Sequence, residues 1–152
     1  MLNNEDTVLI INNIIEISKD GEEGFLKSAQ DVDNEQTKTY LINRSNQIKQ
    51  SVLELQHLVR ELGGQPADSK STGGYLHSKW IDLKSAIMHQ DNLSVLNELE
   101  RGELVALHAY AVASKTELPP QAAVIVLNQL NGTQRNHNEV KEMRDAAEVI
   151  SP

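Results

Sequence analysis

Apolar residues recur along this chain at spacings of three and four, and strict alternation of apolar and polar positions is rare. That rhythm predicts helices almost throughout. The first covers residues 4–18, with Val8, Ile11, Ile14 and Ile15 on its buried side. Asp20-Gly21 then reads as a turn opening a shorter helical piece that ends near Asp31, so that the two pieces form one bent rod. A second long helix is predicted from Asn34, a capping residue, to Leu62, where Gly63-Gly64-Gln65-Pro66 stops it. The segment from Pro66 to Gly74 reads as a surface loop.

A connecting helix fits Tyr75 to His89, with Leu76, Trp80, Leu83 and Ile87 on one stripe. Helical periodicity resumes from Leu93 to Lys115 and stops at Leu118-Pro119-Pro120. Proline suits the first turn of the last helix, predicted from 119 or 120 to about Ala147. Asn131-Gly132 falls inside it, yet the apolar stripe continues across both residues. Rods of this length, roughly 40 Å at 1.5 Å per residue, bury their apolar faces most simply side by side. The expectation is an all-α, antiparallel four-helix bundle forming a single domain over residues 1–152.

An angular test then asks which polar side chains fall within those stripes, at about 100° per residue. Leu93, Leu96, Leu99, Leu107 and Tyr110 define one stripe, and Glu100 and Glu103 both lie within it. A carboxylate in such a place must be protonated, paired or bound to metal. Gly102 stands between them and would let another helix or a ligand approach. On the last helix His137 continues the line of Val126 and Leu130, and Arg144 is an internal partner for either Glu103 or Glu100.

Glu54 and His57 have the Glu-x-x-His spacing that lets one helix supply two ligands to a metal, but Glu54 sits on the flank of its stripe and His57 almost opposite it. Glu16 projects away from its own stripe. Asp20, Glu22 and Glu23 cluster without the spacing of a calcium loop. His77 and His89 are edge positions, and Trp80, Phe25 and Tyr40 read as core or interface aromatics.

Composition narrows the function classes. Among 152 residues there are 22 acidic and 14 basic side chains, a net charge of −8 that argues against nucleic-acid and anionic-membrane partners. With no cysteine, thiolate metal sites and cysteine nucleophiles are excluded. No apolar run reaches the roughly 20 residues of a membrane span, and the start of the chain lacks a basic signal segment, so a cytoplasmic location is expected. There is no GxxxxGK, HExxH or G-x-S-x-G pattern.

The ordered features Asp20-Gly21-Glu22-Glu23-Gly24-Phe25, Glu54-Leu55, Leu62-Gly63-Gly64-Gln65-Pro66, His77-Ser78-Lys79-Trp80, Glu100-Arg101-Gly102-Glu103, Tyr110, Leu118-Pro119, His137 and Met143-Arg144-Asp145 carry a further signal. With them the chain resembles an uncharacterised bacterial family of four-helix bundles in the ferritin-like superfamily. The resemblance implies a ferritin-like bundle, and for some relatives a stress-associated, oligomeric role; in the wider group it implies metal held by carboxylates and Glu-x-x-His pairs. Here Gln134 stands where a glutamate of the last helix would be expected. Two functions follow. One is a non-enzymatic structural or interaction protein, expected as a homodimer. The other is a metal-binding protein or weak oxidase using Glu54, Glu100, Glu103 and His137 with iron, manganese or zinc.

Overall fold

The computed structural model of the chain describes residues 1–30, 32–68 and 92–150, and of Ile150 the backbone alone. Within them are four helices: α1 (Asn4–Ala29), α2 (Glu35–Glu61), α3 (Asn92–Ser114) and α4 (Pro120–Ile150). The connecting helix expected over residues 75–89 lies outside the described residues.

The two pieces of the expected bent rod are one helix, α1, with no turn at Asp20-Gly21 to separate them. A glycine in a helix interior costs roughly 1 kcal/mol relative to alanine, and α1 carries two, Gly21 and Gly24. Packing outweighs that cost. Ile11, Ile14 and Ile15 before the glycines and Phe25 and Ala29 after them all belong to the same buried core, and burying each large apolar side chain contributes about 1.5–3 kcal/mol.

The helix ends follow local chemistry. Asn3 caps α1 by accepting from the Asp6 N–H at 2.8 Å, and Asn34 caps α2 by accepting from the Thr37 N–H at 2.9 Å. After α2, the Gly63 N–H donates to the Arg60 carbonyl and the Gly64 N–H to the Val59 carbonyl, a Schellman ending. Gly63 has φ +83°, a conformation side chains disfavour. At Gly64 the reason for glycine is space: a Cβ there would sit 2.8 Å from the Val8 methyls of α1. The chain beyond is tied back to both helices, since Asn12 donates to the Gln65 carbonyl at 2.9 Å and accepts from the Ala67 N–H at 2.8 Å, while Gln56 donates to the Ala67 carbonyl at 3.1 Å.

Helices α1 and α2 form one tightly packed pair and α3 and α4 the other, with α1 also touching α3 and α2 touching α4. Three contacts fix the directions. The Leu2 N–H at the start of α1 bonds the Glu117 carbonyl just past α3; Gln121 at the start of α4 bonds Glu61 at the end of α2; Thr37 at the start of α2 bonds Asn92 at the start of α3. Every pair of packed neighbours is therefore antiparallel, while α2 and α3 point the same way across the diagonal. The core runs between them, with Ile11, Leu55, Leu99 and Val126 all inaccessible to solvent. No helix among the described residues is long and apolar enough to cross a membrane.

Candidate functional site

Glu103 sits in the middle of that core, 1% exposed, on the stripe that also buries Leu96, Leu99 and Tyr110. Across from it α2 presents Tyr40 and Arg44, one helical turn apart and so on one face. The Arg44 Nε–H donates to both carboxylate oxygens, at 3.1 Å to Oε1 and 2.9 Å to Oε2. The Tyr40 hydroxyl donates to Oε2 at 2.8 Å. Burial works to lower the Arg44 pKa, but the Glu103 charge and its hydrogen bonds more than reverse this, and the guanidinium is held above its ordinary range. Burial, then the neighbouring Glu103 charge, pushes the Tyr40 phenol well above its usual value, so it remains a neutral donor.

Angular reasoning placed Glu103 inside but did not find these partners. The signal was present: Arg44 falls between Leu41 and Ile48 on the buried stripe of α2, and it becomes visible once basic residues as well as acids are tested against the stripe. Tyr40, expected as a core or interface aromatic, is buried with its hydroxyl spent on Glu103.

Three residues away, Glu100 belongs to a different group. Its Oε2 pairs with Arg144 Nη1 of α4, which settles the choice between Glu100 and Glu103 as the partner of that arginine. The His137 Nε2 lies 3.5 Å from Glu100 Oε1, longer than a sound hydrogen bond. Both ring nitrogens of His137 are buried without a hydrogen-bond partner, as is Arg144 Nε.

Glu54, on the flank of its stripe, is exposed and not turned inward, and it accepts from Gln129 Nε2 at 2.8 Å. The Gln129 Oε1 in turn accepts from the Tyr110 hydroxyl at 2.7 Å. Burial above all pushes the Tyr110 phenol up to about 12, against the lowering influence of the nearby Ser18 hydroxyl. Tyr110, Gln129 and Glu54 thus form a hydrogen-bonded chain from α3 through α4 to α2. His57 is on the surface and meets Glu61 at 2.6 Å. Glu23 pairs with Lys27 along unbroken α1 rather than lining a loop.

The structure therefore brings Glu100 and His137 near each other, and places Glu103 and Glu54 in two other hydrogen-bonded groups. Among the described residues no set of three or more His, Cys, Asp or Glu side chains is arranged to hold a metal ion. Beside the Arg44–Glu103 pair lies a cavity of about 30 Å³, lined on different helices by Ser18, Gly21, Gly102, Tyr110 and Thr133 among others.

No curated protein matches the chain. A family described as a domain of unknown function, DUF2383, matches residues 6–116, and the chain belongs to that family. The matched stretch includes Tyr40, Arg44, Glu54, Glu100, Glu103 and Tyr110, whereas His137 and Arg144 follow it.

Proposed function

We propose that this protein is a ferritin-like helical bundle with a structural or interaction role, whose polar interior is an internally neutralised ion pair and not a catalytic centre. The ferritin-like reading is supported by the directions of the helices: two antiparallel hairpins joined so that α2 and α3 run parallel, which is the one-long-crossover arrangement of that class. The observation that carries the functional reading is the state of Glu103. Both its oxygens are committed to Arg44 and one of them also to Tyr40, and a metal would have to displace a buried cation to reach it. The apolar surface supports an interaction role: Leu9 is 66% exposed and Val112 52% exposed, flanking a groove between α1 and α3. Self-association as a homodimer is the form this reading expects, tested by sedimentation equilibrium.

The second reading is a metal-binding protein, favoured by one observation, the unpaired ring nitrogens of His137 beside Glu100. There Glu100 and His137 would be ligands for iron, manganese or zinc, with Glu54 and Glu103 recruited only by breaking their present bonds. Elemental analysis of untagged protein after supplementation with each metal separates the two. The structural reading expects less than about a tenth of an equivalent bound and an unmoved melting temperature, because a real site would stabilise the fold by mass action. Near-stoichiometric metal with a raised melting temperature overturns it.

A further inference from the structure

The cavity beside the Arg44–Glu103 pair has a lining with an unusual division of hydrogen-bonding capacity. Arg44 carries five N–H donors, and its hydrogen bonds to Glu103 both come from Nε, leaving the four Nη hydrogens without a described acceptor. The Thr133 hydroxyl on the wall is the reverse. It gives its hydrogen to the Gln129 carbonyl at 2.9 Å. It therefore turns only lone pairs toward further partners, while the Ser18 hydroxyl can accept as well as donate. Arg44, Glu103, Ser18, Tyr110 and Thr133 are all at least nine-tenths buried.

An occupant must accept from a guanidinium and donate to hydroxyl or carboxylate oxygens, within about 30 Å³. A halide accepts but cannot donate, and it would face oxygen lone pairs beside a cation that Glu103 already neutralises. A water molecule does both, and the space is large enough to admit one. We propose that the bundle interior holds one ordered water, accepting from Arg44 Nη–H and donating to two of Ser18 Oγ, Thr133 Oγ1 and Glu103. It would join three of the four helices directly, α2 through Arg44 and two of α1, α3 and α4 through its acceptors. Gly21 and Gly102 both line the cavity from within helices, where alanine would be the better helix former.

Two measurements on the intact protein test this. In a high-resolution crystal structure, with one crystal soaked in bromide, the expected result is a peak refining as oxygen within hydrogen-bond distance of an Arg44 Nη, without anomalous signal. A bromide peak in its place, or an Arg44 Nη bonded directly to a protein acceptor with no such density, overturns the proposal. In solution, long-lived water should give rotating-frame cross-peaks to backbone N–H groups around the cavity. Ser18→Val fills the volume and should abolish them, while Ser18→Ala leaves the room and should retain them; cross-peaks that survive in the valine variant overturn the assignment.

Discussion

Helix α3 carries two glutamates three residues apart, Glu100 and Glu103, each facing an arginine and a third polar ring, and the two settings could hardly be satisfied more differently. Around Glu103 both oxygens are bonded: Arg44 spans the two and Tyr40 caps one. Around Glu100 the arginine contact is made, but His137 stands 3.5 Å off with neither nitrogen bonded. The first group lies between α2 and α3, where the bundle is closed. The second joins α3 to α4 beyond the deepest part of the core, with side chains 13–20% exposed. A charge can be stabilised at either place, but only the buried one depends wholly on its protein partners.

The sharpest way to break this contrast is to remove Arg44. Arg44→Met leaves Glu103 as a lone buried carboxylate and should cost about 3–5 kcal/mol in denaturant unfolding. Replacing both partners, Arg44→Met with Glu103→Leu, should recover most of that loss, since no unpaired charge then remains. If the double variant is no more stable than the single one, the two residues do not act as a pair.

The next effect is alkaline. A phenol raised to about 12 in the folded chain and near 10 when unfolded binds its proton more tightly in the native state. Its contribution is therefore complete below pH 10 and is lost as pH rises to about 12, on the order of 2–3 kcal/mol. Unfolding free energies measured across that window should fall in wild type and fall less in Tyr110→Phe. Equal slopes would mean that Tyr110 is not the group responsible.

Smaller changes are expected at the open group. Arg144→Met should cost roughly 1 kcal/mol, because solvent screens a pair that is about a fifth exposed. His137→Leu should lie within about 0.5 kcal/mol of wild type, since it exchanges two unpaired buried nitrogens for a side chain of similar size. A loss comparable to that of Arg44→Met at either position would erase the distinction between the groups.

Much of the fold was legible before the structure. The stripe of Leu96, Leu99, Glu103 and Tyr110, the caps at Asn34 and Gly63, and the surface position of His57 all follow from spacing and local backbone chemistry. For α1 the single rod was legible but its unbroken course through Gly21 and Gly24 was not, because propensity favours a break and the core on both sides of the glycines holds the helix together. The candidate site divided along the same line. Periodicity within one helix identified Glu103 and His137 as inward-facing, but it carries no information on which residue of another helix stands opposite.

That Glu103 must be neutralised was thus determined by the sequence alone, from a carboxylate at the centre of an apolar stripe. That Arg44 neutralises it with Tyr40 as a further donor, and that Arg144 goes to Glu100, was decided by the tertiary structure. The reason is physical: side-chain direction repeats along a helix and can be counted, whereas partnership across helices depends on their relative height and rotation, which the packing of the whole core sets.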